Sequence, residues 1–395
     1  MIFSAGVAFA NVVNTFASAT GSSPLYATAV VAKVAHPSIG VMRLVPALFT
    51  TLTILAVMAL AQIWRGRQFA LWSGLAAAAS QWAFQFARIF WDPPLAPAFL
   101  MWGLVFWFTP RLGRMTGAVL CGLCVSLALY SYPPMRVQAP LVMAAAVLIQ
   151  FDWRRTLTAA LSVLALSLPL ILKTLSGEIQ GRFQMLSVFD DNYVRQFGNP
   201  TLGLKLELFL SNLQLHFSPW FLFFQGDRSL RHSTQRVGEW SGLDLAGVLL
   251  LAVAFVRRVP TESRSWSRSK VVVLCGWGYF CGILPAAMTW EASPHALRAI
   301  GAWPFLSLLA GLGISELTQG RLAKVIHATC LALTVGFCGY FLWDYFMRYP
   351  ERSRDWFDVI GVERLMMVDR PIAADYPDLP RKYFDLVYRQ VDRCP

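Results

Sequence analysis

Every second connection between the apolar runs of this sequence is basic. The runs cover 40–63, 68–88, 94–109, 113–131, 137–151, 156–173, 242–256, 271–289, 299–315 and 325–343. About 20 apolar residues cross a bilayer, and shorter stretches suffice when aromatic or snorkelling Arg side chains flank them. Arg65 and Arg67 follow the first run, Arg111 and Arg114 the third, and Arg154 and Arg155 the fifth. Arg257, Arg258, Arg264, Arg268 and Lys270 follow the seventh, and Arg321 and Lys324 the ninth. Short loops of this kind stay on the cytoplasmic side. One extra or missing span would invert every later loop, so the alternation supports the whole count. The expected fold is an all-α integral membrane protein, a polytopic bundle of about ten transmembrane helices with a helical loop region on the outer face.

Composition agrees. Of the residues, 56% are hydrophobic and 14% charged, against roughly 25% charged in soluble domains. So few charges cannot coat a water-facing surface of this size. The net charge of +12 is explained by the basic loops, and no motif for nucleic acid accompanies it. Cys121, Cys124, Cys275, Cys281, Cys330 and Cys338 lie in or beside apolar runs, so packing is expected of them rather than redox or zinc chemistry. Met1–Ala19 is apolar but lacks the basic start of a cleavable signal peptide. The expected division is 1–39, an apolar and juxtamembrane segment; 40–173, a first bundle; 174–241, a large periplasmic loop with an interfacial helix near 204–224; 242–343, a second bundle; and 344–395, a periplasmic tail.

The outer face then carries residues that the charge bias disfavours there. Arg43 opens the first span, and Arg88 and Asp92 close the second. Tyr130, Tyr132 and Arg136 end the fourth, and Glu291, His295 and Arg298 occupy the last outer loop. Arg182, His216, Asp227, Arg231 and His232 lie in the long loop. An Arg just inside a membrane boundary costs about 1–3 kcal/mol. Converging guanidinium groups would offset that by holding a phosphate in two-point contact. The competing reading pairs each Arg with a local carboxylate or lets it snorkel. Asp92 and Glu291 are candidate bases, or orienters of an Arg. The spacing of His216, His232 and His295 fits no closed metal site, so these are expected to form hydrogen bonds; neither a divalent metal nor another cofactor is indicated.

Several of these residues stand in segments that resemble the bacterial GT-C class of membrane glycosyltransferases, near the protein O-mannosyltransferase and aminoarabinose-transferase-like families. The segments are SPLYATAVVAKVAHPSIGVMRLVPALFTTLTILAVMALA, FQFARIFWDPPLAP, LALYSYPPMRVQAP, GRFQMLSVF, HFSPWFLFFQGDRSLRHS and SPHALRAIGAWPFLSLLAGLG. They follow the family's order from about Pro24 to Gly313. The resemblance implies a GT-C-like fold and a polyprenyl-phosphate-linked sugar as donor. It implies inverting transfer at the outer face of the inner membrane to a glycan, lipid or protein. Arg88, Arg136 and Arg298 would hold the donor phosphate. Arg43, Tyr130, Tyr132, Asp227, Arg231, His232 and His295 would complete a substrate-binding surface.

One element departs from the family. Its members carry an acidic residue in a first outer loop, and here no Asp or Glu precedes Asp92. Two expectations follow: a preceding segment outside this sequence, or a relative that keeps the fold without catalysis. A transporter of an anionic lipid-linked substrate is the remaining alternative. It is disfavoured because the polar groups gather at one face and no internal repeat is found.

Overall fold

The computed structural model describes residues 39–89, 91–177, 181–258, 266–317 and 323–357. Apart from one isolated bridge between Ser187 and Thr289, their regular structure is helical. The chain is an all-α polytopic membrane protein. Its helices are α1 (Ile39–Arg65), α2 (Arg67–Ala78), α3 (Gln81–Ala87), α4 (Leu95–Phe108), α5 (Arg114–Ser131), α6 (Met135–Ile149) and α7 (Trp153–Leu175). They continue with α8 (Gly181–Leu186), α9 (Asp191–Val194), α10 (Leu202–Leu215), α11 (Gly242–Val256), α12 (Arg268–Ala287), α13 (Trp303–Glu316), α14 (Ala323–Met347) and α15 (Tyr349–Phe357).

Nine of the expected spans are single helices. The 68–88 span is two, because Ser80 restarts the chain: its hydroxyl accepts the Ala83 N–H at 3.2 Å and caps α3. Five helices are long and apolar enough to cross a membrane alone, within Arg43–Arg65, Arg114–Ser131, Trp153–Leu175, Arg268–Ala287 and Ala323–Met347. Four shorter apolar helices, Leu95–Phe108, Met135–Ile149, Gly242–Val256 and Ile300–Glu316, stand among them. Several polar side chains within spans are satisfied by their own helix, as lipid favours. Thr50, Thr53, Ser131, Ser307 and Thr334 each donate to the carbonyl four residues back. Helix starts carry side-chain caps: Asp152 on α7, a Ser241–Asp244 capping box on α11 and Ser267 on α12.

The chain divides into two units, one ending at Leu342 and the other beginning at Trp343. In the first, helices from both sides of the 174–241 stretch interleave rather than forming separate bundles. α13 packs against α2 and α11, and α12 against α6. The shared core includes Trp64, Trp82, Trp107, Phe69, Phe86 and Phe305. Leu157, Leu161, Leu164, Leu168 and Leu172 of α7 are exposed, an apolar stripe suited to lipid. In the second unit, Arg352 grips Asp344 with bonds of 2.8 and 2.7 Å. The 1–38 and 358–395 parts of the expected terminal segments lie outside the described residues.

The two ends of the bundle differ in chemistry. At the basic end, Arg155 donates to the Phe106 carbonyl at 3.0 Å, closing the end of α4. There, too, Glu316 joins Arg65 and Arg268 in a buried ion triad. At the other end the long loop and the 289–302 segment fold over one another.

Candidate functional site

The short helix α3 fixes the loop-rich end. Gln81 donates to the Gly238 carbonyl at 2.7 Å, Trp82 to that of Ala296 at 3.0 Å, and Gln85 to that of Arg231 at 3.2 Å. Asn212, on α10, donates to the Thr289 carbonyl at 3.0 Å. Tyr132 donates to the Leu297 carbonyl at 3.4 Å, and Gln138, on α6, to that of Gly301 at 2.8 Å. Four segments distant in sequence are thus tied at one end of the bundle.

Asp227 is the centre of this arrangement. It is fully buried and its Oδ1 accepts the Ser229 N–H at 2.8 Å. Its Oδ2 accepts the Ala296 N–H at 2.7 Å and stands 2.9 Å from His232 Nδ1. The turn before it needs glycine. Gly226 has φ +71°, and a Cβ there would sit 2.6 Å from the Ser233 hydroxyl and 2.7 Å from Glu239. His232 lies against Trp91 and Phe86, and its ring stacks on that of His295 at 4.7 Å.

His216 and Glu239 join the cluster from beneath. His216 Nδ1 donates to the Asn212 carbonyl at 2.8 Å, which leaves Nε2 to accept the His295 N–H at 3.0 Å. That pair of bonds requires the neutral ring, and burial holds its pKa down to about 4. Burial likewise pushes His295 down to about 2, helped by the Arg298 charge. Glu239 accepts the Asp227 N–H at 3.0 Å. Its own burial, then the Asp227 charge, push its pKa well above the usual carboxylate range.

The arginines separate into different situations. Arg298 is committed: it donates to the Thr289 hydroxyl at 2.8 Å and forms an ion pair with the Glu291 carboxylate. This is the local-carboxylate pairing. Arg88 is exposed, with its guanidinium 5.6 Å from the Phe84 ring centre. Arg43 is exposed at the start of α1. Arg231 and Asp92 are half-buried. Tyr130 donates to the Leu166 carbonyl at 3.2 Å, towards α7 rather than the Asp227 cluster. Arg136, in the first turn of α6, is half-buried, and its Nε and Nη2 are shielded from solvent with no hydrogen-bond partner.

The structure thus brings Asp227, His232 and His295 together and sets Tyr132 against the segment that carries Arg298. Sequence reasoning missed Glu239 and the bridging role of His216. The signal for Glu239 was its place as an acid between Gly238 and Trp240 in an aromatic stretch. Two open grooves, one between Gly242 and the Thr329, Leu333, Phe337 and Tyr340 side of α14, the other between Leu141, Ala145 and Leu148 of α6 and Val272, Gly276 and Phe280 of α12, are apolar and contain none of these residues.

No protein-family model and no curated protein matches the sequence. Among solved structures the chain is similar to ArnT from Cupriavidus metallidurans in the apo state, at 17% identity and a TM-score of 0.49, over 78% of this chain and 51% of that one. It is similar also to the same ArnT bound to undecaprenyl phosphate, at 17% identity and a TM-score of 0.48, over 80% of this chain and 52% of that one. The chain therefore spans about half the length of the solved structures it matches.

Proposed function

We propose that this chain is a GT-C-type glycosyltransferase of the inner membrane. In this reading it moves a sugar from a polyprenyl-phosphate-linked donor to an acceptor at the periplasmic face, the end opposite the basic loops. The observation that carries it is Arg136. Nε and Nη2 form the side edge of a guanidinium, two parallel donors spaced to meet two oxygens of one phosphate. A shielded donor without a partner costs about 1–3 kcal/mol, more when charged. Such an edge is a site prepared for an anion that arrives with the substrate. The start of α6 adds the positive end of a helix dipole. As the bond from the anomeric carbon to the phosphate oxygen breaks, charge grows on that oxygen, and a fixed cation beside it lowers the barrier. The Tyr-x-Tyr-x-x-x-Arg element places Arg136 where the family resemblance puts a donor-phosphate ligand.

One observation favours a second reading, a membrane subunit with the same fold that binds the lipid phosphate without transferring sugar. Glu291, one of two carboxylates considered as base, is occupied by Arg298, which leaves Asp92 as the remaining candidate of that pair.

The test compares wild type with Arg136→Ala, Arg136→Lys and Arg298→Ala in two assays. These are polyprenyl-phosphate binding to the purified chain and transfer of radiolabelled sugar from membrane lipid donors. Arg136→Ala is expected to bind at least about 100-fold more weakly, the loss of two charge-assisted hydrogen bonds. Arg136→Lys should recover part of that loss, because it restores the charge without the fork. Arg298→Ala should lose less affinity than Arg136→Ala. Wild-type binding by Arg136→Ala would remove the phosphate site and the reading with it. Binding without transfer by the wild-type chain would favour the non-catalytic subunit.

A further inference from the structure

Two loops far apart in sequence bring three metal-ligating side chains to one point. Asp227 Oδ2 stands 2.9 Å from His232 Nδ1 and 3.7 Å from His295 Nδ1. One donor atom from each of the three residues lies within 4.8 Å of the others. Zinc bonds of about 2.0–2.1 Å in a tetrahedron place ligand atoms roughly 3.3 Å apart. The two edges that meet at Asp227 Oδ2, 2.9 and 3.7 Å, bracket that spacing, and the two imidazoles, stacked 28° from parallel, turn their Nδ1 atoms to the same carboxylate oxygen.

Two further observations point to a ligand. His295 Nδ1 is buried and has no hydrogen-bond partner, and 3.7 Å is too long for it to bond Asp227. Asp227 is a fully buried carboxylate, and the basic side chains within 4 Å of it among the described residues are these two imidazoles rather than any Lys or Arg. The surroundings hold the donors in place beforehand, as outer partners do in metal sites. The Ser229 and Ala296 N–H groups orient the Asp227 carboxylate, and His216 holds the His295 backbone.

We propose that Asp227, His232 and His295 form a three-ligand site for a divalent transition-metal cation of the zinc type, clipping the 225–240 loop to the 290–298 segment. The fourth position is left for water or for an oxygen of a bound anion. Coordination at His232 Nδ1 takes the ring in its other neutral tautomer, the proton now facing Asp227 Oδ2 moving to Nε2, so both imidazoles bind as neutral ligands. Sequence spacing did not indicate the site, because His295 comes from a different loop. The inference stands independently of the glycosyltransferase reading.

The test uses the full chain, free of any histidine tag, stripped with EDTA and titrated with zinc chloride. Wild type is expected to take up one zinc per chain and to melt at a higher temperature when loaded. His295→Gln and Asp227→Asn should each bind at least 100-fold more weakly. His327→Gln, a histidine of α14 outside the cluster, should bind as wild type does. Cobalt(II) in place of zinc gives a reading that needs no variant: the intense visible absorption of a four-coordinate ion is expected on the wild-type chain. The absence of stoichiometric zinc uptake by wild type would overturn the proposal. So would a cobalt spectrum of the weak six-coordinate kind, or a folded His295→Gln variant with undiminished zinc affinity.

Discussion

Replacing Glu316 by alanine is expected to destabilise the protein by about 3–5 kcal/mol, the cost of stripping a buried pair of one partner. Glu316 is the last residue of α13, and its two oxygens face the guanidinium groups of Arg65, ending α1, and Arg268, opening α12. The side chains of all three are less than a tenth exposed. Arg65 also donates to the Trp266 carbonyl at 3.0 Å and Arg268 to that of Ala254 at 3.2 Å. Trp266 in turn stacks on Trp64 at 4.8 Å and meets Phe108 edge-on at 4.7 Å. The triad therefore joins four helix ends beneath an aromatic cover. Without Glu316 two guanidinium groups would face each other with no carboxylate between them. Glu316→Gln should fall between alanine and wild type, since it keeps an acceptor but loses the charge. The triple variant Arg65→Met, Arg268→Met, Glu316→Leu should recover most of the loss, because removing a whole buried cluster is often neutral. Thermal unfolding of the detergent-solubilised chain measures all three. A Glu316→Ala protein that melts with wild type would show that the triad contributes nothing net.

How far the sequence foretold this arrangement depends on the range of the interaction. The spans were legible because a bilayer demands a long apolar run and basic loops mark one side. The break at Ala79 and Ser80 was not, since the apolar run continues past it and only Ser80 signals a new helix start. Asp227, His232 and His295 were singled out from sequence, but their contacts with one another were not. Asp227 meets His232 five residues on, and the Ala296 N–H 69 residues on; nothing local encodes the second contact. Arg298 and Glu291 are seven apart in an irregular segment, so no helical spacing announced their ion pair. The case of Arg136 runs the other way. The membrane cost of an arginine at an outer boundary flagged it from sequence, and the structure adds that its side edge has no protein partner.

Gly313→Ala should be far more damaging than its single added methyl suggests. In lipid no hydrophobic force drives helices together, so association rests on close packing of small residues. α13 carries Ala310, Gly311 and Gly313 and is clamped on two sides. A Cβ on Gly313 would run into the Gly247 carbonyl of α11 and approach the Leu251 nitrogen to 2.6 Å. On the facing helix, a Cβ on Gly247 would press on the backbone of Ala310, 2.6 Å from its Cα. On the other side, a Cβ on Gly311 would meet Ser73 of α2, 2.6 Å from its Cα. The obstacles are main-chain atoms, which cannot rotate away as a side-chain tip can. The loss should reach or exceed the upper end of the 1–3 kcal/mol typical of overpacking, since two helices must separate along their length. Gly276→Ala and Gly336→Ala are the controls. A Cβ at either position meets nothing within 4 Å, and alanine is the better helix former by about 1 kcal/mol, so both should melt at or above wild type. The damage should also reach the other end of the bundle. α13 follows directly on the turn at Ile300–Ala302 that receives Gln138 and continues from His295 and Arg298. A displaced α13 would pull that segment out of register with Asp227, so Gly313→Ala should weaken zinc uptake as well as lower the melting temperature. Equal melting temperatures for Gly313→Ala and Gly276→Ala would show that the helices are not in the close contact on which this expectation rests.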